Sequence, residues 1–171
     1  MRVLVAAASK HGSTAEIAEA IAGHLVAAGH DVVVRDPEVV RDLEGVDAVV
    51  LGSAVYAGRW LAAAREFCER LGEKLDGRPV WLFSSGPLGD PPKPTSDPVD
   101  VAAAVAAMHA RGHQIFTGYI DRDKLSLVER AVVRAVHAAP GDFRDWVAIK
   151  DWSLLIDAQL RKSGGASERR E

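Results

Sequence analysis

The sequence predicts an α/β domain: an open parallel sheet with helices packed on both faces. Three observations carry that reading. Apolar runs and helical patterns alternate along the chain. The runs at 2–8, 47–52 and 79–84 are apolar almost throughout, as in strands buried on both faces. The chain has 171 residues, of which 48% are hydrophobic, enough for one domain with a full core.

Residues 2–8 form the first strand. A helix follows over 15–28, with Ile17, Ala20, Ile21, His24, Leu25 and Ala28 on one stripe, and Gly29 closes it. Asp-Val-Val-Val-Arg at 31–35 is a short second strand. A polar stretch from Pro37 to Gly45 leads to the third strand at 47–52. A loop over 53–59 then enters a helix at 60–71, ended by Gly72. Pro79 opens the fourth strand, a position that tolerates proline. The next connection holds Pro87, Pro91, Pro92, Pro94 and Pro98, and so long a connection is often functional. Asp97-Pro98 reads as N-cap and first residue of a helix to His109. A fifth strand covers 113–119. An amphipathic helix over 123–138 carries Leu125, Val128, Val132 and Val136 on one side, and Pro140-Gly141 breaks it. The last helix runs over 145–161, with Ile149, Trp152, Ile156 and Leu160 inward and Trp146 as a second core anchor. The domain therefore spans 1–162, with a helical insertion at about 121–142, and 163–171 is a disordered tail of Gly, Ser and charge.

Composition excludes several classes. Charged residues are 26% and the net charge is −3, which argues against nucleic-acid binding. Cys68 is the lone cysteine, so no internal disulfide forms and a reducing compartment suits the chain. No signal-type segment or membrane-length apolar run stands out, which predicts a soluble cytoplasmic protein, with peripheral membrane contact allowed but not indicated. Cys68 lies among apolar neighbours and reads as a small core residue. His109 and His113 are separated by the helix breaker Gly112, so they do not make a metal pair, and no metal site is expected.

In a parallel sheet of this kind, ligands sit at the C-terminal ends of the strands. That edge gathers three loops. The first, Ser9-Lys10-His11-Gly12-Ser13-Thr14, joins a strand to a helix. Helix-start amides point outward with partial positive charge, the hydroxyls add donors, and Gly12 lets the backbone bend close to a phosphate. An ordinary turn capped by Ser13 or Thr14 is the simpler alternative. The second loop sets Tyr56 and Trp60 around Gly58. The third holds Ser84, Ser85, Gly86, Pro87, Leu88 and Gly89. A phosphate cradle beside an aromatic loop and a glycine loop suits a ligand with a phosphate tail and a flat ring. A receiver domain shares such a sheet. It would need carboxylates after the first and third strands, where this chain has Ala8-Ser9 and Gly52-Ser53.

With those loops in place the chain resembles the flavodoxin family, over about residues 2–120. Residues 9–14 are similar to its phosphate loop, with His11 where a hydroxyl is common. The segment Gly52-Ser53-Ala54-Val55-Tyr56-Ala57-Gly58 looks like its second loop, and 84–89 its third. The resemblance implies a three-layer sandwich with strand order 2-1-3-4-5. It also implies FMN held by Ser9, Lys10, His11, Gly12, Ser13, Thr14, Ala54, Val55, Tyr56, Ala57, Gly58, Ser85, Gly86, Pro87, Leu88 and Gly89. The insertion and the segment Gly141-Asp142-Phe143-Arg144-Asp145-Trp146 are similar to the menaquinone-dependent protoporphyrinogen oxidases of flavodoxin type. That group implies oxidation of protoporphyrinogen IX with a quinone acceptor. Its insertion is aromatic and basic. Here Arg122, Lys124, Arg130 and Arg134 are balanced by Asp121, Asp123 and Glu129, with no aromatic residue.

The expected function is thus an FMN redox protein, serving a redox partner protein, a quinone or a porphyrinogen. The alternatives are a small carrier without its own substrate and a flavodoxin-fold binding module that has lost FMN. The flavin does its own redox chemistry, and no acid–base residue is singled out as catalytic. Tyr56 is the stacking candidate, and Gly58 would let a backbone carbonyl turn toward the ring. Arg59 and Lys93 are the candidates for an anionic substrate.

Overall fold

The computed structural model describes residues 1–75, 77–86, 96–121, 123, 125–127, 130–131 and 141–167. Eight strands and four α-helices are described: β1 (Arg2–Ala8), α1 (Ser13–Ala27), β2 (Asp31–Arg35), β3 (Ala48–Tyr56), β4 (Arg59–Trp60), α2 (Ala62–Leu71), β5 (Val80–Ser85), α3 (Val101–Ala107), β6 (Gly112–Phe116), β7 (Tyr119–Ile120), β8 (Gly141–Asp142) and α4 (Trp146–Ser167). The main sheet runs β2-β1-β3-β5-β6, all parallel, and β4 adds to β3 antiparallel. This is the expected order 2-1-3-4-5, counting the five parallel strands alone.

Alternation within the apolar strands explains the three layers. In β1, Val3, Val5 and Ala7 enter one core with Ile17, Ile21 and Leu25 of α1 and Ile149, Ile156 and Leu160 of α4. Leu4, Ala6 and Ala8 enter the other with Phe67 and Leu71 of α2 and Val101 and Ala104 of α3. Both faces of each central strand are covered, so the strands read as continuous apolar runs. Helix α1 ends as its sequence signals. Gly29 has φ 92, its N–H bonds Val26 C=O, and His30 N–H bonds Leu25 C=O, a Schellman closure. A strut from His30 Nε2 to Asp157 Oδ1 (2.8 Å) ties that end to α4.

Several boundaries differ from expectation. The third strand does not stop at Gly52. It continues to Tyr56 and reverses through Ala57 (φ 48) and Gly58 (φ 73) into β4, a two-residue hairpin of the kind that needs positive φ at both turn positions. The predicted loop at 53–59 is therefore a β-ribbon, and α2 starts at Ala62 rather than at residue 60. Helix α3 starts at Val101 rather than Pro98, and Asp97 does not cap it, because its carboxylate faces His113 instead. The fifth parallel strand ends at Phe116; residues 119–120 pair with 141–142 in a separate antiparallel ribbon. Trp152 packs edge-on against Phe83 and Phe116 as an anchor, but Trp146 is 43% exposed and is no core anchor. Helix α4 extends to Ser167, into the segment expected to be disordered. The helix predicted over 123–138 falls mostly outside the described residues. No helix among the described residues is long and apolar enough to cross a membrane.

Candidate functional site

Strands β1, β3 and β5 end at one edge, and their registers align them. Ala8 lies opposite Ser53, and Ala54 opposite Ser85. Because β3 runs three residues past Ser53, its hairpin overhangs the loop that follows β1. The expected loops therefore meet. The Lys10 ammonium sits 5.2 Å from the centre of the Tyr56 ring, and the His11 ring lies 6.3 Å from it. Tyr56 itself is 37% exposed, Ala54 is buried and Val55 half-buried. Gly86 presses on Val55: a Cβ at Gly86 would come 3.0 Å from the valine's Cβ. Ser85, next to it, is buried.

The first loop is built to leave a helix start open. Gly12 occupies the N-cap position of α1 in the left-handed region, φ 93, and no side chain caps the helix. The alternative of a cap by Ser13 or Thr14 is therefore not what forms. The Ser9 hydroxyl instead accepts the Gly12 N–H at 3.1 Å, which folds the loop back on itself. Thr14 is buried, and Ser13 Oγ is a buried hydroxyl with no hydrogen-bond partner among the described residues. A helix start must satisfy its first amides from outside the helix. An uncapped start, a glycine with room above it and an orphaned hydroxyl together fit a phosphate. The nearest atom to a Cβ built on Gly12 is Glu16 Oε1, at 3.9 Å.

The other candidates divide. Arg59 does not stand free for a substrate: its Nη1 bonds Asp100 Oδ1 at 3.0 Å. Trp60 is not a platform for a flat ligand. It is 2% exposed within the core and its indole N–H donates to Ser84 Oγ at 2.8 Å. Pro87, Leu88, Gly89 and Lys93 lie outside the described residues. No metal-binding group of His, Cys, Asp or Glu forms among the described residues. Cys68 is a buried thiol pushed up to about 12 by desolvation, which leaves it inert as a nucleophile.

Two networks at this edge were missed by sequence reasoning. In the first, Ser84 Oγ meets His113 Nε2 at 2.8 Å, and His113 Nδ1 faces Asp97 at 3.5 Å. Burial pushes the His113 pKa down and the Asp97 charge pulls it back up, with burial the larger effect. One tautomer satisfies all three groups: Ser84 O–H donates to Nε2, and Nδ1–H points to the carboxylate. Ser84 is wholly buried, so this is a brace rather than a hydrolase triad. In the second, Asp100 accepts the Trp60 N–H at 3.0 Å while Val99 N–H bonds Gly58 C=O, also at 3.0 Å. Segment 97–100 thus clamps the hairpin turn. No sequence signal marks either network, since the partners are far apart and of common types.

A model of the flavodoxin domain family matches residues 4–145. No curated protein matches the chain. Among solved structures, the chain is similar to a flavodoxin from the domain Archaea, at 17% identity and a TM-score of 0.66, over 94% of this chain and 99% of that one. It is similar to rubredoxin:oxygen oxidoreductase of Desulfovibrio gigas, at 12% identity and a TM-score of 0.66, over 94% of this chain but only 36% of that one. The flavodoxin of Megasphaera elsdenii, solved in its two-electron reduced form, shares 25% identity at a TM-score of 0.54, over 66% of this chain and 84% of that one.

Proposed function

The chain belongs to the flavodoxin domain family, whose cofactor is FMN, and on that premise we propose that it is an electron-transfer flavoprotein serving redox partner proteins. Ser9, Lys10, His11, Gly12, Ser13 and Thr14 hold the phosphate, with Ser13 Oγ and the open amides of α1 as donors. Ala54, Val55, Tyr56, Ala57 and Gly58 flank the ring on one side, and Ser85 and Gly86 on the other. Bound there, FMN supplies the redox chemistry. Tyr56 offers a flat face and excludes water from that side. The clamp from segment 97–100 fixes the turn at Ala57 and Gly58, so the backbone groups facing the ring are set before the ligand arrives. The single observation that carries this reading is the uncapped start of α1 with a buried, partnerless hydroxyl beside it.

The test is direct. Purified protein should be yellow, and apoprotein should take up added FMN with quenching of flavin fluorescence. Colourless protein that ignores FMN would favour a binding module that has lost its cofactor. The finer reading, oxidation of protoporphyrinogen IX with a quinone acceptor, draws on the resemblance of segment 141–146 to that oxidase group. Turnover of protoporphyrinogen with a menaquinone analogue would establish it. Absence of turnover in flavin-loaded protein would leave the carrier.

A further inference from the structure

Segment 141–146 is folded around one cation. The Arg144 side chain is only 6% exposed. Its Nε and Nη2 take the two oxygens of Asp142 at 2.8 and 2.7 Å. Its guanidinium lies 5.2 Å from the Tyr119 ring and 4.5 Å from the Trp146 ring. Asp142 alone would balance the charge. Yet Nη1 also reaches across the fold to Glu16 Oε2, at 2.5 Å. Glu16 is in the first turn of α1, and its side chain is 53% exposed. Its second oxygen, Oε1, would lie 3.9 Å from a Cβ built on Gly12. The carboxylate therefore hangs beside the mouth of the phosphate cradle.

An acidic residue in that turn suits an isolated helix, because it meets the positive end of the dipole. It does not suit a helix that must offer that end to a phosphate. A bare carboxylate there both repels the ligand and competes with it. Without Arg144, the local charge of Glu16 and Asp142 would be −2; with it, the sum is −1, and the Glu16 oxygen nearest the arginine is engaged. The pairing is well held, since the planar guanidinium makes two hydrogen bonds to Asp142 and lies near two aromatic rings.

We propose that Arg144 is the counter-charge of the phosphate loop: it holds and neutralises Glu16 so that the start of α1 can accept the phosphate of FMN. Arg144 is a positioning residue, since it reaches the ligand only through Glu16. This rests on the FMN reading above. It assigns to the Gly-Asp-Phe-Arg-Asp-Trp segment a role in cofactor affinity, exerted from more than a hundred residues downstream of the loop.

The experiment is a charge cycle on FMN binding, read by flavin fluorescence at about 20 mM and about 200 mM salt. Arg144→Gln is expected to weaken FMN binding about tenfold at the lower salt, and by less at the higher. Glu16→Gln alone should bind FMN as tightly as the wild type or more tightly. The pair Glu16→Gln with Arg144→Gln should return to within about threefold of the wild type. Glu16→Gln leaves the packed arginine and Asp142 in place, so it reads the charge even if Arg144→Gln folds poorly. Weaker binding in Glu16→Gln, or no recovery in the double variant, overturns the proposal, since a purely structural brace is not repaired by removing its partner's charge. Wild-type protein that binds no FMN overturns the functional reading together with this one. Tight FMN binding untouched by Arg144→Gln overturns this one alone.

Discussion

Gly52→Ala is the smallest change that should damage both the fold and the site. Gly52 lies opposite Phe83 in the parallel ladder of β3 and β5. A methyl built on it would come within 2.0, 2.2 and 2.4 Å of three carbons of the Phe83 ring. Carbon atoms rest at about 3.5–4.0 Å, so the ring must retreat by about 1.5 Å. It has nowhere to go. Phe83 is wholly buried, and its ring centre lies 5.9 Å from Phe116 and 6.1 Å from Trp152. Overpacking a tight core costs about 1–3 kcal/mol, and a contact this deep belongs at the upper end. At about 3 kcal/mol, the melting temperature of a domain this size falls by about 6–12 °C. Urea and thermal unfolding of the apoprotein measure it. The same experiment on Gly52→Ala with Phe83→Leu tests the cause. Phe83→Leu alone should cost about 1 kcal/mol or more, yet in the Gly52→Ala background it should restore stability. FMN affinity should follow, because β3 carries Ala54 to Tyr56 into the site. A loss under about 0.5 kcal/mol, or costs that simply add in the double variant, would show that close approach to Phe83 is not why residue 52 is glycine.

Two further outcomes are expected. Gly12→Val places a β-branched residue at φ 93, a strain of about 1–3 kcal/mol, and fills the space above the loop. FMN binding should be lost in a fluorescence titration, and a variant that kept full affinity would put the cradle elsewhere. His113 gives a pH signature. Its folded pKa lies below the ordinary imidazole value, so the unfolded chain binds the proton more readily. Its contribution to stability is therefore full above the ordinary imidazole range and is lost as pH falls through and below it. The urea midpoint should drop between about pH 8 and about pH 5.5, and His113→Gln should flatten that part of the profile. An unchanged profile would assign the dependence to another group.

The layers and the strand order were legible because each central strand is buried on both faces. Continuous apolar runs such as Val3-Leu4-Val5 admit few other readings, and Gly29 marks a helix end because glycine takes the positive φ of that position without strain. The phosphate loop was legible as a strand, a short hydroxyl-rich turn and a helix. What stayed hidden depends on partners distant in sequence. Residues 53–56 read as loop because Gly52 and Ser53 interrupt the apolar run; they are extended because Ala54 and Val55 find Ser85 and Trp60 alongside. Trp60 read as one of two aromatics around Gly58 and as the start of a helix, but it pairs with Val55 in β4 and its buried indole bonds Ser84. Trp146 read as a core anchor from its place on α4, but the guanidinium of Arg144 holds it at the surface.

The helix before β6 shows how local and tertiary demands compete for the same carboxylates. Asp97-Pro98 is a good helix opening, and Asp100 stands three residues later. Asp97 instead faces His113, which in turn meets Ser84, the acceptor of the Trp60 indole. Asp100 receives the Trp60 backbone N–H and the Arg59 guanidinium. Neither side chain caps α3, which begins only at Val101 and is seven residues long. A lost cap costs about 1 kcal/mol. Against that, the hairpin carrying Tyr56 would otherwise be a two-stranded ribbon at the end of β3, and such ribbons are marginal alone. Its turn holds Ala57 at positive φ, a strain that only surrounding contacts maintain. The two aspartates therefore do more for the fold as anchors of the hairpin than as caps. A short α3 is the structural consequence of fixing that wall of the site.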